Sequence, residues 1–174
     1  MNSTSLERVT RLARLLKLLV WAALSATVAL HLLLWLGGSP HWLAEGWGAA
    51  VQVLVETAGD RLVGLLVTLP ATLLMAYGLY RLARMLARFE RGDVFSITSI
   101  GHLRAFGLAT LASGIASLLE SPLLALILGP ETDRFQLVIR SSDLWTVLIG
   151  ALMFVIGEIM VEARRIAAEN AEIV

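Results

Sequence analysis

Residues 81–106, RLARMLARFERGDVFSITSIGHLRAF, divide this chain into two long apolar halves and thereby decide its fold class. Each half contains two apolar stretches separated by polar residues, which is the pattern of an apolar helical hairpin. We call residues 81–106 the basic linker because it holds five of the fourteen basic residues: Arg81, Arg84, Arg88, Arg91 and Arg104.

The composition of the chain indicates a membrane protein. Apolar residues make up 57% of the sequence and charged residues only 16%, whereas soluble chains are usually ~45–50% apolar. The mean hydropathy is +0.78. The net charge is zero, which gives no overall field that favours nucleic acid, and the absence of cysteine excludes disulfides and thiol chemistry. A bilayer is therefore the expected surrounding of a single domain of 174 residues.

Four apolar stretches have the ~20 residues that a helix needs to cross a bilayer. They predict transmembrane spans at about residues 16–36, 62–82, 104–128 and 144–162. Residues 42–58 have apolar side chains at helical spacing and polar ones on the other face. This pattern predicts an amphipathic helix on the outer membrane surface or, alternatively, an extension of the next span. The predicted fold is all-α, an integral membrane four-helix bundle of two transmembrane hairpins joined by the basic linker.

The distribution of basic residues predicts how the chain is oriented in the membrane. Eleven of the fourteen lie in the N-terminal segment, the basic linker and the C-terminal tail. Because cytoplasmic segments carry the excess of lysine and arginine, both termini and the basic linker are expected in the cytoplasm. Four tryptophans then fall at the outer interface, where aromatic belts form: Trp35, Trp42, Trp47 and Trp145.

Two ionisable residues interrupt the predicted spans in the outer half of the bilayer. A carboxylate at the centre of a span costs ~2.5–3.5 kcal/mol, so Glu120 requires a partner or a function. Counting ~1.5 Å per residue places His31 at a similar depth, which predicts a hydrogen bond or ion pair between His31 and Glu120. The pair could be a structural clasp or part of a proton or ligand path. A protonated or interface-facing Glu120 is the third interpretation.

A second acid, Glu158, lies near the cytoplasmic end of the fourth span. Arg81, Arg84 and Arg104 approach the same depth from the second and third spans. One expectation is an ion pair that ties the tail to the basic linker, since a buried charge needs compensation. The other is that Glu158 simply reaches cytoplasmic water.

Small residues recur every four positions along the third span, which favours close approach of another helix. The partner could be a helix of the same bundle or a second copy of the chain in a homo-oligomer. The residues of this stripe are Ala105, Ala109, Ser113, Ser117 and Ser121.

The sequence has no motif of a known catalytic or cofactor site. It lacks the nucleophile elbow, the zinc-protease motif, the phosphate loop and the dinucleotide fingerprint. Three scattered histidines, His31, His41 and His102, have no metal-ligand spacing. We therefore expect no enzymatic activity, no catalytic residue, no metal and no cofactor.

Two segments resemble a family of bacterial membrane proteins, the domain-of-unknown-function 2975 proteins. The segments RMLARFERGDVFS and IGHLRAFG are similar to an F-x-x-G-x-x-F turn and the basic helix start that follows it. The matching positions are Phe89, Gly92, Phe95, Leu103, Arg104 and Gly107. The ending GEIMVEARRIAAENAEIV is similar to the family's close at Glu158, Glu169, Asn170, Glu172 and Val174. It departs from the pattern at Ile173, where a threonine is usual, and at Ala163, where a glycine is common.

The resemblance implies a four-helix inner-membrane protein without an established activity. Relatives are often encoded beside small helix-turn-helix regulators, which suggests a cytoplasmic regulator protein as partner. We expect a non-enzymatic membrane regulator or sensor in the inner membrane that does not itself bind nucleic acid. The alternative is a small transporter or channel subunit with a polar path at His31 and Glu120. The cytoplasmic candidates, for lipid headgroups or for a protein partner, are Arg84, Arg88, Phe89, Arg91, Gly92, Phe95 and Arg104.

Overall fold

The fold is known from a computed structural model that describes residues 3–37, 57–93, 96–128 and 140–171. These residues form four long helices and no strand. Helix α1 (Ser3–Leu32) continues into a π-helical turn (Leu33–Gly37). Helices α2 (Ala58–Phe89), α3 (Ile97–Leu128) and α4 (Ser141–Ala171) follow. The predicted all-α class is confirmed.

All four helices are long and apolar enough to cross a membrane. The candidate spans are Thr10–Gly37, Ala58–Phe89, Ile97–Leu128 and Ser141–Asn170. Each span expected from the sequence lies within one of them, and each helix continues past at least one predicted boundary. The predicted interfacial helix at 42–58 lies, apart from its last two residues, outside the described residues.

The helices pack in chain order. Helix α1 packs on α2, α2 on α3, and α3 on α4, while the remaining pairs of described helices barely touch. Because consecutive helices run antiparallel, one end of the molecule contains the starts of α1 and α3 and the ends of α2 and α4. We call this the basic end, and we call the other the opposite end.

Helices α3 and α4 pack closely through four glycines. A Cβ added to Gly107 or Gly150 would meet the backbone of the facing helix, and one added to Gly114 would lie 2.8 Å from a side-chain carbon. Moving seven residues forward along α3 corresponds to moving seven residues backward along α4, so the register between the two helices is constant. The facing pairs are Gly107 with Phe154, Gly114 with Val147, Gly150 with Leu111, and Gly157 with Arg104. Such small residues permit the closest helix packing in a bilayer.

Helices α1 and α2 instead pack through a large side chain laid on a glycine. The Trp35 ring lies against Gly64, where any Cβ would overlap the ring. Trp35 is fully buried and packs with Leu124 of α3. The sequence placed Trp35 in an outer aromatic belt, but the structure puts it in the core because Gly64 leaves space for the ring. Trp145, in contrast, is exposed at the start of α4.

Candidate functional site

The turn after α2 depends on a glycine with left-handed backbone geometry. Gly92 has φ +80°, a conformation that side chains disfavour. The Gly92 N–H donates to the Phe89 carbonyl (3.0 Å) and the Asp93 N–H donates to the Arg88 carbonyl (3.1 Å). These two bonds form a Schellman motif, which satisfies carbonyls at the helix end. Arg88 Nη1 also donates to Asp93 Oδ2 at 2.8 Å and closes the turn with a salt bridge.

The start of α3 is capped by Ser96. The Ser99 N–H donates to Ser96 Oγ (3.2 Å), as expected of an N-cap. Ser99 Oγ in turn donates to the Asp93 carbonyl at 2.8 Å, which joins the cap to the turn. Phe95, the last aromatic residue of the F-x-x-G-x-x-F pattern, lies outside the described residues.

A carboxylate at the end of α2 joins the basic linker to α1. Glu90 forms a salt bridge with Lys17 and lies 3.6 Å from Arg14 Nε. Its side chain is 17% exposed, so most of it is removed from solvent. Sequence reasoning missed this contact. The available signal was Glu90 itself, the single acid among the arginines of residues 81–91. Such an acid can pair with cations on a neighbouring helix.

A second ion pair joins α3 to α4 at the basic end. Arg104 Nη2 lies 2.5 Å from Glu158 Oε1, as one of the two sequence-based expectations proposed. Gly157 makes room for the aliphatic part of Arg104, because a Cβ at Gly157 would lie 2.5 Å from Arg104 Cγ. Both side chains are about two-fifths exposed (42% and 41%), so the pair lies at the surface of the protein.

The other candidates of the basic linker divide into paired and unpaired residues. Arg88 and Arg104 are in the ion pairs above, whereas Arg84 and Arg91 have no carboxylate within 4 Å among the described residues. Phe89 helps to line an apolar cavity of about 260 Å³. The cavity lies between α2, α3 and α4, and its other lining residues are Met85, Ser99, Ile100, Leu103 and Met160.

The structure gives His31 and Glu120 separate partners, so their predicted pairing is wrong. His31 Nδ1 lies 3.0 Å from Thr72 Oγ1 on α2, while Glu120 Oε2 lies 3.8 Å from Arg140 Nη2. Arg140 Nε also donates to Asp143 Oδ2 at 3.2 Å, so one guanidinium joins two buried acids at the opposite end. Residue counting placed His31 and Glu120 at one depth, but the contacts separate them along the bundle. His31 lies beside Thr72, and the neighbouring Ala71 carbonyl lies beside Ser113, seven residues or ~10 Å before Glu120 on α3.

The small-residue stripe of α3 packs within the molecule. Ala109 and Ser113 are both buried. Ser113 Oγ donates to the Ala71 carbonyl of α2 at 2.8 Å, and Ala109 lies against Gly78 of the same helix. Packing within the bundle accounts for these two residues, and a homo-oligomer stays a prediction.

The tail is a helical extension of α4 that packs on nothing described. Every residue from 161 to 170 is exposed. Its charges interact along the helix, since Arg165 lies 2.8 Å from Glu162 and 3.4 Å from Glu169. Glu172 and Val174, which belong to the family-like ending, lie outside the described residues.

In the described part of the chain, no three His, Asp or Glu side chains are arranged to hold a metal ion.

A family model described as "Protein of unknown function (DUF2975)" matches residues 45–174, which is most of the chain. The match covers the basic linker, α2 to α4 and the tail. Comparison with curated proteins and with solved structures gave no match.

Proposed function

The chain belongs to the DUF2975 family of proteins of unknown function, and from its basic end we propose that it is a non-enzymatic membrane regulator or sensor. In this proposal it resides in a bacterial inner membrane with both termini and the basic linker in the cytoplasm. The concentration of basic residues in these segments supports that orientation. The exposed tail and the turn at Gly92 then bind a cytoplasmic protein.

The observation that carries the proposal is the exposed helix at residues 161–170. A short helix without tertiary packing is only marginally stable in water. This one starts from a span that is already helical, and pairs such as Arg165–Glu169 add a little stability. It also retains exposed apolar side chains, Val161 and Ile166. A partner that covered this surface would stabilise the helix and bury those side chains.

The base of the tail is connected to the rest of the molecule in a way suited to signalling. Glu158, just before the exposed segment, pairs with Arg104 of α3. The start of α3 is fixed in turn by the Ser96 cap and the Gly92 turn. A change in how α3 and α4 pack in the membrane would therefore move the tail, and binding at the tail would act back on the spans.

The test is crosslinking and pull-down of the full chain from native membranes, with identification by mass spectrometry. We expect a cytoplasmic protein that is lost when Glu162, Arg165 and Glu169 are all replaced by alanine. The Arg11→Ala variant, which changes an exposed arginine on α1, should retain it. The proposal fails if no cytoplasmic protein is enriched with the unaltered chain, or if the tail variant still retains the partner.

The alternative, a small transporter or channel subunit, would draw on His31 and Glu120. Their contacts with different neighbours, Thr72 and Arg140, give that alternative less support than the exposed tail gives the regulator.

A further inference from the structure

We propose that Arg81, Arg84 and His102 form a binding site for the phosphate headgroup of an anionic phospholipid at the basic end. The site lies on α2 and α3, away from the exposed tail. It does not depend on the proposed regulator function, because a membrane protein of any function could hold such a lipid.

The first support is uncompensated positive charge. Lys17, Arg88 and Arg104 each have a carboxylate partner. Arg81 and Arg84, one helical turn apart, have no carboxylate within 4 Å in the described ranges. The charges of Arg81, Arg84 and Arg88 all act on His102 of α3. A group of cations at the edge of an apolar region needs an anion. Among the described residues, Asp93 is the only carboxylate paired with this group, and Arg88 uses it.

The second support is a pair of buried nitrogens that lack partners. Arg81 Nε and His102 Nδ1 are both inaccessible to solvent and make no hydrogen bond with the described residues. Buried polar atoms in folded proteins nearly always have a partner. The Arg81 guanidinium lies 5.8 Å from the Tyr77 ring centroid, a contact that holds it near α2. When the Arg81 and His102 side chains turn outward, a tetrahedral phosphate can accept from nitrogens of both adjacent helices.

The third support, which points to a lipid instead of a soluble anion, is the apolar cavity at the same end of α2 and α3. Its volume is about 260 Å³, and two of its lining residues directly follow members of the site: Met85 follows Arg84, and Leu103 follows His102. A lipid whose phosphate lies at the arginines could place the first methylenes of an acyl chain in this cavity. Arginines at the cytoplasmic surface of a membrane also attract anionic headgroups, at ~1 kcal/mol per charge.

The test measures lipid retention by the purified full chain in neutral detergent. Phosphatidylglycerol and phosphatidylcholine with identical acyl chains are compared by native mass spectrometry and by thermal shift. We expect retention of phosphatidylglycerol and a raised Tm. Replacing Arg81 and Arg84 together by glutamine should weaken retention roughly tenfold or more. The matched control replaces Arg11 and Arg91, two exposed arginines without a carboxylate partner among the described residues, and should retain the lipid.

Two further variants keep the test decisive if the double variant folds poorly. His102→Gln should weaken phosphatidylglycerol retention without removing a formal charge. Met160→Trp, which fills the cavity, should weaken it while the arginines stay intact. Unchanged retention in both variants would overturn the site.

Three other outcomes would also contradict the proposal. Equal loss in the Arg81/Arg84 and the Arg11/Arg91 variants would mean that net charge alone attracts the lipid. Equal retention of phosphatidylcholine would mean that the headgroup is not recognised. Inorganic phosphate alone raising the Tm as much as phosphatidylglycerol would identify a soluble phosphate as the ligand.

Discussion

The two hairpins of this molecule have the same topology but are packed by different means. Helices α3 and α4 meet at four glycines in a constant register, with backbone against backbone at Gly107, Gly114 and Gly150 and the Arg104 side chain on Gly157. Helices α1 and α2 meet through separate side-chain contacts spread along their length. These are the Trp35 ring on Gly64, the hydrogen bond of His31 with Thr72, the edge contact of Trp21 with Tyr80, and the ion pair of Lys17 with Glu90.

The difference shows two ways to hold membrane helices together when apolar burial does not drive their association. Lipid tails are as apolar as leucine, so packing and hydrogen bonding must supply the specificity. The α3–α4 pair obtains it from continuous backbone contact, which tolerates no added atom. The α1–α2 pair obtains it from a few strong contacts, each of which can be removed singly. Four experiments test this difference between the two hairpins.

The largest effect is expected from Trp35→Ala in the α1–α2 hairpin. The change removes a fully buried ring and leaves a cavity beside Gly64 and Leu124. We expect a loss of about 3 kcal/mol of stability, at the low end for large aromatic residues because lipid can partly fill the space. Thermal unfolding in detergent would measure it. Trp145→Ala, at a site 62% exposed, is the control and should change little; equal losses would mean that Trp35 is not a packing anchor.

The α3–α4 hairpin should respond most to Gly150→Ala. The new Cβ would meet the Leu111 backbone, so the helices must separate, at a cost of about 1–3 kcal/mol. Gly101→Ala is the matched control, because a Cβ there meets nothing within 4 Å. Alanine is the better helix former by up to ~1 kcal/mol, so the control should be neutral or stabilising. A stabilising Gly150→Ala would refute backbone contact at this position. Both would be measured as the shift of Tm in the same detergent.

The hydrogen bond between His31 and Thr72 is expected to contribute less. A double-mutant cycle with His31→Ala and Thr72→Val isolates the interaction between the two side chains. Interhelical hydrogen bonds in membranes average ~0.6 kcal/mol and rarely exceed ~1.7 kcal/mol, and we expect a coupling energy in that range. Chemical denaturation in mixed micelles would give the four free energies of unfolding. A coupling energy of zero would show that this contact does not hold α1 to α2.

The smallest effect is expected from the ion pair at the end of the α3–α4 hairpin. Glu158→Gln should lower stability by less than about 1 kcal/mol, because both Glu158 and Arg104 are partly exposed. The loss should shrink at high salt, since screening already weakens the pair in the unaltered protein. Tm values of the two proteins at low and high salt would test this. If the decrease in Tm caused by Glu158→Gln does not depend on salt, Glu158 stabilises the protein by packing and not by its charge.

Local chemistry explains what could be predicted from the sequence. The membrane fold follows from composition and the length of the apolar stretches. The turn at Gly92 depends only on neighbouring residues, so a short sequence pattern was sufficient to locate it. The Arg104–Glu158 pair was anticipated because both residues lie where their helices leave the apolar region, and long side chains have few other partners there.

Contacts that depend on helix rotation could not be predicted in the same way. His31 and Glu120 were expected at one depth, yet the register and rotation of the helices place His31 beside Thr72 and Glu120 beside Arg140. Trp35 enters the core from a π-helical turn, whose wider winding rotates its residues relative to those of a regular α-helix. The seven-residue glycine spacing is visible in the sequence on both helices. That these glycines face each other requires knowledge of the register.

The packing of the helices in chain order also limits how a disturbance can travel. A closed ring of four helices would let the first and the last communicate directly, but here α1 and α4 barely touch, if at all. A force applied at the tail must therefore cross the α3–α4 interface first. It then reaches α1 through α2, or through the contact of Trp35 with Leu124 at the opposite end. The most flexible interface on the route limits how far a displacement is transmitted. We expect this to be the α1–α2 interface, because it consists of isolated side-chain contacts.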